Sequence, residues 1–372
     1  MAGQILKNNF SLDDKYSLFE GRVILSGIQA LVRLLLDQHR ADIIKGINTG
    51  TLVSGYRGSP VGVLDINLVK NKKILDEHNV KFIPGVNEDL GATLIYGSQM
   101  AGMVSNVKYD GVLGMWYGKA PGVDRSGDIF RHANFLGVGK NSGVLAVAGD
   151  DPSCKSSTLP SQSEPALFDA MMPIFYPGNV QEILDLGRYA YEMSRYSGLW
   201  SGFKIVTDIA DGFGSAFVDP QRVNITIPDF TYNGQPWKHT QNAKLVGHHS
   251  LPTEKEIHLG RITAAKHFLA SNPINKITVQ GNEDKFGIIT AGKTYYDVIE
   301  AFESLGWNTE YLNKIGIRIL KLGATFPVDS VMIDKFSKGL DDIFVIEEKR
   351  SFIEMLVKEE LYNDPIKPTI VG

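Results

Sequence analysis

The chain has 372 residues, with 43% hydrophobic and 22% charged residues and a formal net charge of -4. This length exceeds one compact core, since a domain typically holds about 100–200 residues, and the balanced composition excludes disordered, collagen-like and fibrous proteins. No block of like charges is present, so we expect no nucleic-acid partner. The single cysteine, Cys154, excludes an internal disulfide and any iron–sulfur cluster or cysteine zinc site built by this chain alone.

Neither the N-terminus nor any apolar run has the pattern of a targeting or membrane segment. The opening residues, MAGQILKNNFSLDDKY, have no basic region followed by an apolar one. The most apolar run, 31–36, is interrupted by Arg33 and falls far short of the roughly 18 apolar residues of a membrane helix. Together with the low cysteine usage, this predicts a cytoplasmic protein with no membrane partner.

Short apolar strands alternate with longer amphipathic helices in the first half of the chain. Ser26 is expected to cap a helix whose apolar positions recur at helical spacing from Ile28 to Leu35. The elements expected next are a helix through 68 towards 75, helices 88–101 and 180–193, and strands 51–54, 81–83, 111–117, 144–148 and 202–209. This alternation predicts an α/β fold with a mostly parallel sheet covered by helices on both faces.

Three segments that follow expected strands are the candidate site. They are the glycine-rich turn 55–60 and the polar loops 118–126 and 149–163. In a parallel sheet, ligands bind at the carboxyl ends of the strands. Long ordered loops at that edge are usually functional, so we expect these three segments to meet there.

The amino-acid composition changes where the second half of the chain begins. Residues 219–256 are rich in proline, asparagine and glycine, and we interpret them as a connecting segment between a first domain, 1–218, and a smaller α/β domain, 257–372. The elements expected beyond residue 253 are helices 254–270, 295–305, 328–336 and 352–361 and strands 277–279, 286–289, 317–322 and 343–347.

The common phosphate and metal motifs are absent. Residues 137–142 lack the first glycine of a P-loop, and 211–216 have only two glycines of the dinucleotide fingerprint. No two histidines stand at the i, i+4 spacing of a helical metal site, so we expect no metal ion on this chain.

Glu88 starts an expected helix directly after a strand-like segment. Two interpretations of this pattern stay open. Asn87 and Glu88 can cap the helix and complement its dipole. Alternatively, the Glu88 carboxylate can serve chemistry at the sheet edge.

Several motifs in register resemble the thiamine-diphosphate-dependent 2-oxoacid:ferredoxin oxidoreductases. They are GYRGSP at 55–60, NEDLGA at 87–92, MWYGKAPGVDRSGD at 115–128, RHAN at 131–134, GDDP at 149–152 followed by two serines, GIITAG at 287–292 and VIEEKR at 345–350. The similarity covers nearly the whole chain, and its closest match is the indolepyruvate ferredoxin oxidoreductase branch in its long fused bacterial form. It implies an aminopyrimidine-binding (PYR-type) domain followed by a smaller transketolase C-terminal-like domain.

The resemblance also implies site residues. Glu88 would be catalytic, its carboxyl hydrogen-bonding the pyrimidine N1′ of thiamine diphosphate in a dry surround that raises its pKa. Cofactor contacts are implied, besides Glu88, for Gly55, Tyr56, Gly58, Gly122 and Asp124, and substrate contacts for Arg57, Ser59, Lys119 and Arg125. A solvent-facing Arg57 and a local salt bridge within 119–125 remain the alternatives. Ser59 replaces the threonine usual in the family, and Arg57 replaces a proline.

The implied reaction is the oxidative decarboxylation of a 2-oxo acid. Coenzyme A takes the acyl group, and electrons pass through iron–sulfur clusters to ferredoxin. This chain lacks the Gly-Asp-Gly signature that binds the diphosphate through Mg²⁺, so we expect another domain or subunit to supply that site and the clusters, in a homodimer or larger oligomer. Two other classes stay open: a non-catalytic assembly module of such a complex, and an α/β nucleotide- or CoA-binding enzyme.

Overall fold

The structure is a computed structural model and describes residues 11–372. The elements of the first half, in chain order, are α1 (Asp14–Ser17), β1 (Gly21–Ser26), α2 (Gly27–Ile44), β2 (Thr49–Gly55), α3 (Leu64–Lys70), α4 (Lys72–Glu77), β3 (Val80–Phe82), α5 (Glu88–Ser98), a 3₁₀ turn (Ala101–Met103), β4 (Gly111–Lys119), α6 (Ala120–Arg125), α7 (Gly127–Leu136), β5 (Gly143–Asp150), α8 (Glu164–Asp169), β6 (Ile174–Phe175), α9 (Val180–Ser197), β7 (Ser201–Val206), α10 (Thr207–Asp211) and β8 (Phe213–Val218).

The second half is also mixed α/β. Its elements are β9 (Thr231–Tyr232), β10 (Gln235–Pro236), α11 (Gly247–Glu256), a π-helical turn (Ile257–Arg261), α12 (Ile262–Ser271), β11 (Lys276–Val279), β12 (Phe286–Ala291), α13 (Gly292–Ser304), α14 (Thr309–Lys314), β13 (Ile317–Leu322), β14 (Ala324–Phe326), α15 (Ser330–Ser337), β15 (Asp342–Ile346), α16 (Ile353–Glu360) and β16 (Thr369–Val371).

A seven-stranded sheet, here called the first sheet, forms the centre of the molecule. Its strand order is β14-β6-β7-β5-β4-β2-β3, and every pair is parallel except β14 with β6. β5 and β7 are buried along their whole length, as expected for parallel strands covered on both faces. The predicted fold class, α/β with a mostly parallel sheet, is confirmed.

Polar side chains begin the long helices around this sheet. Ser26 forms the predicted cap of α2 and completes a capping box with the third residue of the helix. Asn87 and Asn179 cap α5 and α9 in the same way, each accepting a backbone N–H of its first turn. These caps fix the residues at which α2, α5 and α9 begin.

Some expected elements differ from the structure. The single helix expected towards residue 75 is two short helices, α3 and α4, that meet at Asn71. The prediction of a polar loop at 118–126 was wrong, because α6 starts there with Pro121 in its first turn, where a missing N–H costs nothing. The strand expected at 202–209 ends at Val206, and α10 follows it. β1 and β8, which pair with each other in an antiparallel ladder, were not predicted.

A five-stranded sheet, the second sheet, has the order β11-β13-β12-β15-β16 and is parallel except for the edge strand β11. β14 follows β13 in the chain but pairs with β6 of the first sheet, so the two halves share hydrogen bonds as well as a continuous apolar core. The division at residues 218 and 256 stays a prediction. Across the described residues, no helix combines the length and the apolar character needed to cross a membrane.

Candidate cofactor site at the end of the first sheet

Glu88 is the first residue of α5, and its backbone is fixed on two sides. Asn87 accepts the N–H of Leu90 at 2.8 Å, and the indole Nε1 of Trp116 donates to the carbonyl oxygen of Glu88 at 2.9 Å. The side chain is half-buried, and within residues 11–372 its carboxylate has no hydrogen-bond or ion-pair partner. Asn87 therefore supplies the cap, and the Glu88 carboxylate is left for another partner.

Two glycines lie against the Glu88 side chain. A Cβ atom at Gly122 would lie 2.4 Å from Cγ of Glu88 and 3.0 Å from its Oε1, and a Cβ at Gly118 would lie 3.4 Å from the same Cγ. The first distance is far inside van der Waals contact, so α6 approaches this closely only because residue 122 has no side chain. The carboxyl group is thereby held between α5 and α6.

The glycine-rich turn after β2 reaches the same place. The N–H of Tyr56 donates to the carbonyl of Tyr117 at 3.1 Å, and that of Gly85 donates to the carbonyl of Gly55 at 2.9 Å. A Cβ at Gly91 of α5 would lie 2.9 Å from the Cα of Gly55. The turn, α5 and the end of β4 are therefore in backbone contact, as the parallel topology predicts.

Two further predicted residues lie beside this turn. A Cβ at Gly58 would lie 2.9 Å from Cδ of Lys119, so the half-buried lysine side chain runs across the turn. The hydroxyl of Ser59 shares a hydrogen bond with that of Ser156, which belongs to the loop after β5. The structure thus brings Ser59 and Lys119 to the turn next to Glu88.

The other predicted residues lie at the surface. Tyr56 is 38% exposed, and Arg57, Asp124 and Arg125 are exposed as well. Among the described residues, none of these three charged side chains, nor Lys119, takes part in an ion pair, so the local salt bridge considered for 119–125 is not formed. Their assignment to cofactor or substrate stays a prediction.

Sequence reasoning missed the residues that hold the loop after β5. Ser156 contacts Ser59, and a buried cluster around Lys204 and Glu348 lies behind the loop. The one available signal is the placement of Lys204 in the otherwise apolar strand β7, where a lysine needs a buried acidic partner. Its acidic partners are Glu164, 40 residues before it, and Glu348, 144 residues after it, and no local pattern identifies either.

The free carboxylate and its glycine neighbours fit the aminopyrimidine half of thiamine diphosphate. A ring nitrogen needs a carboxyl partner that no other group occupies, and a flat ring needs walls that carry few side chains. Cavities of about 260, 450 and 510 Å³ are lined by other parts of the chain, and Glu88 lines none of these three. Over residues 11–372 there is no group of three or more His, Cys, Asp or Glu side chains able to hold a metal ion.

Comparisons with known proteins identify similar oxidoreductase subunits. The Indolepyruvate oxidoreductase domain family matches residues 276–372. The indolepyruvate oxidoreductase subunit IorA of Pyrococcus abyssi is 27% identical over 354 residues, which cover 94% of this chain and 49% of that protein. IorA of Methanothermobacter marburgensis is 24% identical over 344 residues, covering 92% of this chain and 49% of that protein. The chain is therefore similar to indolepyruvate oxidoreductase subunits, over residues 276–372 by the domain family and over nearly its whole length by these relatives. It spans about half the length of these IorA relatives.

Two solved structures show the same fold as this IorA-like chain. The 2-oxoglutarate:ferredoxin oxidoreductase from Magnetococcus marinus superposes with a TM-score of 0.68 at 15% identity, over 94% of this chain and 62% of that one. A split-gene transketolase superposes with a TM-score of 0.54 at 12% identity, over 94% of this chain and 89% of that one. These superpositions agree with the predicted α/β fold class.

Proposed function

We propose that this chain supplies the cofactor-activating glutamate of an enzyme that oxidatively decarboxylates 2-oxo acids of the aryl pyruvate type. The observation that carries the proposal is the unpaired, half-buried carboxylate of Glu88, held at the start of α5 between two glycines. The names of the IorA relatives support the substrate class. The fold shared with a ferredoxin-linked oxidoreductase supports ferredoxin as the acceptor and coenzyme A as the co-substrate.

When bound, thiamine diphosphate supplies a carbon nucleophile for the keto carbon and accepts the electron pair released with CO₂. The part of Glu88 is to hold a proton between its carboxyl group and the pyrimidine N1′. A covering partner that excludes water would strengthen this hydrogen bond, because the surround of the carboxyl group would then be less polar. Trp116 fixes the backbone of Glu88 by donating to its carbonyl oxygen, and Gly122 leaves the space that Cγ of Glu88 occupies.

The substrate side of the site is proposed to lie along the glycine-rich turn. Lys119 crosses the turn without a carboxylate partner among the described residues, so its ammonium group can pair with the carboxylate of a 2-oxo acid. Ser59 can donate its hydroxyl to the same substrate. Arg57 and Arg125, both exposed, would attract the anionic substrate from a longer distance. The backbone near Gly55, Tyr56, Gly58, Gly122 and Asp124 is proposed to line the cofactor.

The surface around Glu88 fits a covering partner. Val86, Leu90 and Leu94 stand four residues apart and are 81%, 46% and 40% exposed. An apolar row of this kind beside a functional carboxylate marks an interaction site. We propose that the partner is the domain or subunit that corresponds to the rest of the IorA relatives, and that it holds Mg²⁺, the diphosphate and the iron–sulfur clusters within a homodimer or larger assembly.

The substitution Glu88→Gln tests the proposal in the assembled enzyme, that is, this chain together with the part that binds the diphosphate. Glutamine keeps the shape of the side chain but cannot share a proton with a ring nitrogen. We expect the rate of 2-oxo-acid decarboxylation to fall by at least about 100-fold, the usual scale for loss of a proton-transfer partner. The melting temperature of the isolated chain should change little, because Asn87 still caps α5.

Asp89→Asn is the matched control, since it alters a carboxylate in the same first turn of α5. We expect this variant to keep most of its activity. Wild-type turnover of Glu88→Gln would reject the catalytic role and favour a non-catalytic assembly module. Equal losses in both variants would show that the first turn of α5 needs its charge rather than a proton at residue 88.

A further inference from the structure

A loop between β5 and α8, here called the serine loop (residues 151–163), carries Ser156 to Ser59. Its two ends are tied together at the base. The N–H of Ser163 donates to Oδ2 of Asp150 at 2.8 Å, and the Ser163 hydroxyl donates to Oδ1 at 2.5 Å. Because Asp150 is the last residue of β5, the first sheet fixes the base of the loop.

Asp151 organises the tip of the serine loop. Its carboxylate accepts the N–H of Lys155 at 2.9 Å, of Ser156 at 2.8 Å and of Ser157 at 2.9 Å. Burial alone would raise the pKa of Asp151, but the N–H bonds from Ser156 and Lys155 lower it overall. The loop backbone is therefore wrapped around one carboxylate, and the Ser156 hydroxyl points to Ser59.

The segment that follows β15 of the second sheet makes two hydrogen bonds with the serine loop. The Nζ of Lys349 donates to the carbonyl of Pro152 at 3.0 Å, and the Nε2 of Gln162 donates to the carbonyl of Arg350 at 3.2 Å. Lys349 and Arg350 follow β15 of the second sheet. Both bonds therefore join the serine loop to the other half of the chain.

Lys204 connects the base of the loop to the segment after β15 of the second sheet through buried ion pairs. Its side chain is 3% exposed, and its Nζ lies 2.6 Å from Oε1 of Glu164, 3.4 Å from Oε2 of Glu348 and 4.0 Å from Oδ2 of Asp150. Tyr176 donates its hydroxyl to Glu348 at 2.6 Å, and its ring centre lies 4.3 Å from the ammonium group. One buried cation thus bridges carboxylates from β5, from α8 and from the second sheet.

We propose that Lys204, Glu348 and Lys349 form a latch through which the second sheet holds the serine loop, and with it Ser156, against Ser59. Lys204 and Glu348 are positioning residues in this arrangement, since Lys204 pairs with Asp150 and Glu164, which flank the loop, and Glu348 pairs with Lys204, while neither touches a reacting atom. The consequence for substrate binding rests on the proposed function, because Ser59 gains a role only if a 2-oxo acid binds there. The latch itself needs no cofactor.

Cys154 makes the latch measurable. It is the single cysteine of the chain, it lies in the serine loop, and its thiol donates to the carbonyl of Ser157 at 2.7 Å. Cys154 is half-buried, so the rate at which it reacts with the thiol reagent DTNB, divided by the rate in the urea-unfolded chain, reports how firmly the loop protects it.

Glu348→Gln is the deciding variant, tested on the purified full chain without cofactor. It removes the charge that the second sheet contributes and leaves Lys204 paired with Glu164. We expect the Cys154 reaction to accelerate about tenfold, the scale for weakening a buried, charge-assisted contact. An unchanged melting temperature, measured by circular dichroism, would show that the opening is confined to the loop. If Glu348→Gln does not fold, Lys349→Met replaces it, because the side chain of residue 349 is exposed and joins the latch through its hydrogen bond to Pro152.

Two controls bracket the result. Asp151→Asn loosens the loop tip directly and should accelerate the reaction whether or not the latch exists. Asp334→Asn changes an exposed acid of α15, in the half of the chain that holds the second sheet. Asp334 is paired with Lys338, away from the serine loop, so Cys154 should react at the wild-type rate in this variant. A wild-type rate in Glu348→Gln overturns the latch, and so does an equal acceleration in Asp334→Asn. Loss of the proposed role of Glu88 would leave all of these rates unchanged, so the two proposals fail independently.

Discussion

The position of the Glu88 carboxylate depends on the hydrogen atom that Gly122 has in place of a side chain. Gly122→Ala would place a methyl group 2.4 Å from Cγ of Glu88, so the glutamate must move away. We expect decarboxylation by the assembled enzyme to fall about tenfold or more, because a displacement of this size spoils the alignment of a reacting group. Steady-state kinetics with a 2-oxo acid measures the loss.

Gly97→Ala is the control for that substitution. Gly97 is an exposed glycine of α5, and a Cβ there meets nothing within 4 Å. Alanine should therefore raise the free energy of unfolding by about 0.4–1 kcal/mol and leave the activity unchanged. If Gly122→Ala keeps full activity, the close approach of α6 does not position Glu88.

At the residue scale, local patterns identify only part of the site. Asn87, Glu88 and the glycines stand in short segments whose spacing is visible in the sequence. Ser156 and the latch are not visible in this way, because their partners lie about 100 or more residues away along the chain. Contacts of this kind follow from how the strands are ordered, which a single sequence does not specify.

The exposed row on α5 is a prediction at the scale of one element. Replacing Leu90 and Leu94 together by lysine should abolish assembly with the part that binds the diphosphate, because charged groups would be forced into an apolar interface. Both side chains are already 46% and 40% exposed, so the isolated chain should lose no more than about 1 kcal/mol of stability. Sedimentation of the mixed components measures assembly, and urea unfolding measures stability.

Val331→Lys is the matched control for the α5 variant. Val331 is 65% exposed on α15, on the opposite half of the chain, and its replacement should leave assembly intact. Normal sedimentation of the Leu90 and Leu94 double variant with its partner would mean that the α5 row is not the docking surface.

Helices and strands with strong periodicity were predictable, and short elements were not. Strand 317–322 has the predicted bounds, and α9 begins at the predicted residue 180. α6 was mistaken for a loop because its six residues hold two glycine or proline positions and too few turns for a helical period. β14 has three residues and joins the first sheet through long-range pairing, which leaves no local signal.

At the scale of the whole molecule, two sheets share a buried charged cluster. Asp150, Glu164 and Glu348 surround a single ammonium group, that of Lys204. Three ionised carboxylates around one buried cation leave uncompensated negative charge, which a closed interior disfavours. One carboxylate is therefore expected to keep its proton into mildly acidic solution, up to about pH 6, and Asp150 is the candidate.

Asp150→Asn should change how stability depends on pH. Burial raises the pKa of the Asp150 carboxyl to about 6, even though the charge of Lys204 lowers it. Between its ordinary value of 3.8 and about 6, the folded chain holds a proton that the unfolded chain has released, so this residue's contribution to stability falls as the pH rises. Asparagine does not titrate. The melting temperature of the variant, relative to that of the wild type, should therefore rise from about pH 5 to about pH 7 and then level off. A difference that stays constant over this range would mean that Asp150 is ionised throughout and is not the carboxylate that holds the proton.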